Sequence, residues 1–310
     1  MNLRFIVAAL LAFTAAPAFA HCGGAFCTLN TNWDVQGAWE KPGIRLDLRT
    51  EFIDLDQLRE GSSKTSPGGV SDTHDEVRTI NRNFIGTLDY SFSPDWGVSL
   101  RVPLMDRYHR HIHNDPGGPE TETWKFTEFG DIQVVARYAF YQGVHETAGL
   151  RFGLKLPTGS TGQSNGAEKA ERSLQPGTGS TDGVLGLYYN RQMGQATWFV
   201  QGAWQQVIHE HAEFRPGRQL AADAGISYAV TPDCNLMLQL NAQHKTKDSG
   251  ANSEPDDSGG HYVFLSPGIG YRVTKDMQIY GFLQKPIYQH VNGVQLTADW
   301  SAAAGVSMQF

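Results

Sequence analysis

Residues 107–115 read Arg107-Tyr108-His109-Arg110-His111-Ile112-His113-Asn114-Asp115, with a histidine at every second position. On a β-strand that spacing puts His109, His111 and His113 on one face. Neutral imidazoles so gathered can hold zinc, copper or nickel. His209 and His211 repeat the spacing further along. A second reading is positional: a half-polar ring sits well at a membrane–water interface, as Tyr and Trp do. The choice depends on which elements carry these residues.

The cysteines offer a second candidate chemistry. Cys22 and Cys27 lie in HCGGAFC, and Cys234 stands alone. In an oxidising compartment the pair reads as a disulfide closing a glycine-rich loop. The other reading is a thiol-rich metal site of His21, Cys22, Cys27 and Cys234. Nucleophilic catalysis has less to stand on. None of the eleven histidines is followed by serine two residues on, the tight pair that a strand-borne hydrolase site needs. A site assembled from His74-Asp75 and His209-Glu210-His211 is the remaining hydrolase reading. The chain is expected to be no enzyme and to need no cofactor.

The chain ends indicate the compartment. MNLRFIVAALLAFTAAPAFA carries Arg4, an apolar stretch and Ala18-Phe19-Ala20, the three parts of a cleaved secretory signal over residues 1–20. A net charge of −7 argues against nucleic acid as a partner. Past the signal, no apolar run nears the ~20 residues that a spanning helix requires. Aromatics at 11% and 34 glycines suit strands and turns. The C-terminus, AAAGVSMQF, ends on Phe310 behind alternating apolar residues. That resembles the signal by which outer-membrane barrels engage the barrel-assembly machinery.

Alternation supports the same class. Leu296, Ala298, Trp300, Ala302, Ala304, Val306, Met308 and Phe310 form one face of the last segment, with Thr297, Asp299, Ser301, Ala303, Gly305, Ser307 and Gln309 on the other. A two-residue period of this kind makes a wall strand between lipid and lumen. Twelve such segments are expected, near 43–55, 78–92, 97–112, 129–141, 147–158, 178–191, 196–208, 218–231, 234–246, 260–273, 277–289 and 294–310. Even-numbered segments are followed by short turns such as TPD and TKD. Most odd-numbered ones are followed by long polar stretches, among them NDPGGPETETWKFTE and GSTGQSNGAEKAERSLQPG. Short periplasmic turns and long extracellular loops define an all-β, antiparallel up-and-down transmembrane barrel over 43–310. Residues 21–42 are too polar and interrupted to join its wall, and are expected to form a periplasmic or plug segment.

Gly130–Tyr138 (GDIQVVARY), Gly153–Ser160 (GLKLPTGS) and Pro176–Gln192 (PGTGSTDGVLGLYYNRQ) resemble the outer-membrane family named for a putative MetA pathway of phenol degradation. The resemblance covers roughly residues 78–310 and implies handling of aromatic compounds, as a transporter across the outer membrane.

Charges on the lipid side of a barrel are costly, about 2–4 kcal/mol for Arg or Lys at the midplane. Arg45, Asp47, Arg49, Glu51, Asp89, Arg101, Arg137, Arg151, Lys155, Asp223 and Asp299 are therefore expected to line the lumen. They would act either as a transverse field on a passing solute or as internal salt bridges. The expected function is passive passage of small solutes, aromatic or polar organic compounds among them, through a barrel embedded in the outer-membrane bilayer. A metal-binding or metal-uptake barrel using the rim histidines is the alternative.

Overall fold

Alternating polarity becomes alternating exposure along each strand. Leu236, Leu238 and Leu240 are 51%, 45% and 45% exposed on one face, while Gln239 and Asn241 between them are 1% and 0% exposed. A water-soluble fold would invert this pattern; a wall standing in hydrocarbon requires it. Each leucine that leaves water for lipid is worth about 1.5–3 kcal/mol.

The computed structural model describes residues 42–310 except 70–74, 116–117, 167 and 212. The expected signal peptide, the segment 21–42 apart from Pro42, and His21, Cys22, Cys27 and His74 lie outside the described residues. The strands run β1 Gly43–Glu60, β2 Ser63–Lys64, β3 Asp75–Ser91, β4 Trp96–Asp115, β5 Gly118–Phe129, β6 Ile132–Gln142, β7 Glu146–Leu156 and β8 Thr181–Met193. They continue as β9 Ala196–His209, β10 Gln219–Ala229, β11 Cys234–Lys245, β12 Gly260–Thr274, β13 Met277–Val291 and β14 Val294–Gln309. All pairings are antiparallel between neighbours, and β14 returns to β1 from Arg45↔Gln309 to Glu60↔Val294. The wall is thereby a closed barrel, while β2 and β5 each pair on one side, with β1 and β4.

Fourteen segments make twelve wall strands. β2 is a short spur on the outer end of β1. β4 pairs with β5 over Leu104–Asp115 and with β6 over Trp96–Arg101, so β5 and β6 are two halves of one wall strand interrupted at Gly130–Asp131. The stretch 114–128, which its polar composition marks as a loop, is thus mostly the returning arm of a long hairpin. Its alternating Trp124 and Phe126 pack inward and hold it.

The start of β1 and the C-terminal Phe310 meet at the periplasmic rim, where the amide of Phe310 donates to Ile44 O at 2.8 Å. Rings cluster near the short turns there: Trp96 stacks on Tyr138 with centroids 4.5 Å apart, and Tyr189 meets Trp198 at 5.1 Å. Such girdles place amphipathic rings at the headgroup level. β13 and β14 pair only from Met277↔Met308 to Gln284↔Ser301. Above that point the Gln289 side chain donates to Ala298 O at 3.0 Å, and Lys285 Nζ donates to Asp299 O at 2.8 Å.

Candidate functional site

The two-residue period aims one row of each strand into the barrel, and the charged residues of that row are held by near neighbours. Arg45 donates to Asp89 Oδ2 through Nε at 3.1 Å and Nη2 at 2.9 Å, and Asp89 also accepts from Ser99. Arg49 bonds Glu51, which accepts from Asn83 Nδ2 at 3.0 Å. Asp47 accepts from the Tyr280 hydroxyl at 2.9 Å. Arg137 donates to Ser91 Oγ at 2.9 Å; Arg151 lies over the Tyr188 ring at 5.1 Å. Arg101 sits on the same inward row, opposite Thr87. Asp223 is bonded by Gln201 and, at 2.9 Å, by Asn241.

Asp299 is placed differently. One residue of β1 stands against two of β14 between Ile53↔Ser301 and Leu55↔Ala298. That bulge re-aims the strand. Asp299 comes out half-exposed at the outer rim, bonded to Lys64 Nζ at 2.8 Å. Asp299 thus pairs with Lys64 at the rim, and Arg45, Arg49 and Lys155 pair with carboxylates on the inner wall.

Over the outer mouth, three loops pack on one another. Arg172 of loop 157–180 lies over the Phe214 ring of loop 210–218 at 5.1 Å, and Gly217 N donates to Asp248 of loop 246–259 at 2.6 Å. Loop 157–180 rests on the inner face of the β4–β5 hairpin. Ala170 and the fully buried Leu174 pack on Trp124, and Arg107 donates to Leu174 O at 2.6 Å. The loop base is pinned by Lys155, which reaches Asp131 Oδ2 at 2.9 Å, Asp182 Oδ1 at 3.4 Å, Ser180 O at 3.0 Å and Thr178. Gly159 and Gly177 cross there so closely that a Cβ on Gly177 would stand 2.3 Å from Gly159 O.

The histidine run enters this packing. His109 is 0% and His111 5% exposed, both facing inward, and Trp124 lies against both rings. The backbone of His113 continues the strand opposite Glu120, and its side chain lies outside the described ones. His209 and His211 lie elsewhere, exposed, with ring centroids 4.6 Å apart. Two acidic residues join the inward pair. Glu171 Oε1 stands 3.8 Å from His111 Nδ1, and Glu76 lies opposite His111 in the β3–β4 register. Burial first, then the Glu76 and Glu254 charges, pushes Glu171 well above the usual carboxylate range. Glu76 and Glu171 carry no motif that sequence reasoning could use, because each meets the histidines only through the fold. A further row, His244, His261 and His290, crosses three neighbouring strands at the outer rim; His244 and His261 stack at 4.3 Å. Cys234, near the periplasmic turn, has no disulfide partner among the described residues.

No curated protein matches the chain. Among solved structures, an outer-membrane channel from Pseudomonas putida F1 is similar with a TM-score of 0.65 and 12% identity, over 88% of this chain and 97% of that one. The transport unit of the autotransporter AIDA-I from Escherichia coli is similar with a TM-score of 0.52 and 11% identity, over 87% and 91%. At these identities the likeness is one of fold, and the fold is that of outer-membrane proteins. The model of the family described as "Putative MetA-pathway of phenol degradation" matches residues 111–293. That match spans more than half of the chain, and this outer-membrane barrel belongs to that family.

Proposed function

We propose that the barrel is a passive channel for small organic solutes that combine polar groups with an aromatic body. The observation that carries this reading is the inner wall of β11–β14. Amides and hydroxyls at Gln239, Asn241, Ser266 and Gln284 share that wall with Met237, Phe264, Tyr280 and Phe282; none is more than 5% exposed, so a solute reaches them as these side chains move aside. Hydrogen-bonding groups set among ring faces suit a solute bearing both kinds of surface. The charged residues of β1 and β3 are largely neutralised by their neighbours, so a small ion gains little there. The loops over the mouth make passage depend on their movement.

Conductance in planar bilayers and swelling of liposomes in a phenyl glucoside or a sugar of similar size test the reading. Swelling is expected to be faster with the aromatic solute, and Tyr280→Ala with Phe282→Ala is expected to erase that preference. Deleting residues 161–176 is expected to raise conductance. Neither current nor swelling, in the full-length chain and in the loop deletion alike, would remove the channel reading.

A further inference from the structure

We propose that His109, His111 and Glu171, with Glu76 beside them, form a binding site for a divalent transition-metal ion of the zinc class. The ion would fasten loop 157–180 to the barrel wall. Nε2 of His109 and Nδ1 of His111 are 3.4 Å apart, Glu171 Oε1 is 3.8 Å from the latter, and the three donor atoms lie within 4.8 Å of one another. A tetrahedral ion with bonds of about 2.0–2.1 Å holds its donors about 3.3–3.4 Å apart. The histidine pair already has that spacing, and Glu171 needs only a small side-chain adjustment.

The surroundings are those of a ligand set. Thr79 Oγ1 is 2.8 Å from His109 Nδ1. When that oxygen accepts the Nδ1 proton, the Nε2 lone pair is free to face the ion, the usual outer-shell arrangement for a ligating imidazole. Trp124 walls off the other side of both rings. Glu76 is 1% exposed, and both its oxygens lack a side-chain partner, as does Oε1 of Glu171. Among the described residues no Lys or Arg pairs with either: Arg107 is engaged by Asn81 and Leu174 O, and Arg172 by Thr178 O. Two neighbouring buried carboxylates without a cation are unfavourable, and a divalent ion beside two imidazoles supplies the missing charge. Two nitrogens with carboxylate oxygen favour zinc, copper or nickel over magnesium or calcium. Glu171 is the one ligand on a loop, so the ion ties that loop to β4.

Metal binding does not rest on the channel reading, and its test uses no transport. Full-length protein with Cys22→Ser and Cys27→Ser, which removes the N-terminal thiols, is stripped with chelator and titrated with Zn²⁺ and Co²⁺. The expected result is one ion per chain, with a tetrahedral Co²⁺ visible spectrum. His109→Ala with His111→Ala, and separately Glu171→Gln, are expected to weaken binding at least 100-fold, while His209→Ala with His211→Ala leaves it unchanged. Glu171→Gln alters a loop and not the wall, so its loss of binding is separable from a failure to fold. Zn²⁺ is expected to slow tryptic cleavage after Lys169 and Arg172 at least tenfold, except in the His109/His111 variant. No bound ion, or binding that survives both variants, overturns the proposal; the histidines then form a hydrogen-bonded pair only.

Discussion

Replacing Lys155 by methionine is the most direct test of what holds the mouth. The ammonium is buried at the loop base, with Asp131 at 2.9 Å and Asp182 at 3.4 Å, each carboxylate 6% exposed or less. Removing one partner from a buried ion pair costs about 3–5 kcal/mol, chiefly by leaving the other charge uncompensated. Here the abandoned carboxylates keep other donors. Asp131 retains Gly159 N at 3.0 Å and Thr178 N at 2.9 Å, and Asp182 retains Ser180 Oγ and Gln205 Nε2, both at 2.7 Å. These bonds place the loss near the lower end, about 3 kcal/mol. At about 1.4 kcal/mol per tenfold change, the opening of loop 157–180 should become more than 100-fold more populated. Tryptic cleavage after Arg172 reads that population when the loop opens and closes faster than it is cut. Lys155→Met should then be nicked about 100-fold faster while the barrel keeps its heat-resistant mobility on gels. A change below about fivefold, roughly 1 kcal/mol, would refute the view that Lys155 locks the loop.

Other outcomes follow from the wall and the loops. Leu238→Arg places a cation on the lipid-facing side and should lower unfolding stability in liposomes by about 2–4 kcal/mol, measured by urea titration of Trp fluorescence. Gly177→Ala should part the crossing at Gly159, since the new Cβ would meet backbone at 2.3 Å; hydrogen exchange of residues 157–180 should accelerate, with barrel strands unchanged. Burial, then Asp257, Glu76 and Asp248, raises Glu254 from 4.5 to about 9. The packed loop is therefore most stable when Glu254 is protonated, below pH 4.5, and loses about 1.4 kcal/mol per pH unit as pH rises towards 9. Hydrogen-exchange protection of residues 246–259, corrected for intrinsic rates, should fall between pH 5 and 8, and Glu254→Gln should flatten that fall.

The barrel was legible because a lipid-facing wall must alternate, and β10, β11 and the lower part of β14 do so without interruption. Asp299 departs from that rule. Strict alternation puts it inward, but the bulge facing Ile53 and Leu55 adds a residue and the period slips. The arm β5 was hidden by glutamates and threonines suited to a loop; Trp124 and Phe126, two residues apart, were the available signal of an inward face. His109 and His111 were identifiable as a pair from spacing alone. Glu76 and Glu171 were not, because a strand start and a distant loop reach them only once the sheet has closed.

That closure has a kinetic side. Nearly every ladder in this wall joins strands that are close in sequence, so most hairpins can form as the chain emerges. The seam from Arg45↔Gln309 to Glu60↔Val294 is the exception, joining opposite ends of the sheet. Contacts so distant along the chain carry the largest loop-closure cost and form slowly. Until they form, β1 and β14 both present bare edges able to pair with another copy. The seam is therefore where assembly is slowest and where misassembly into multimers would begin.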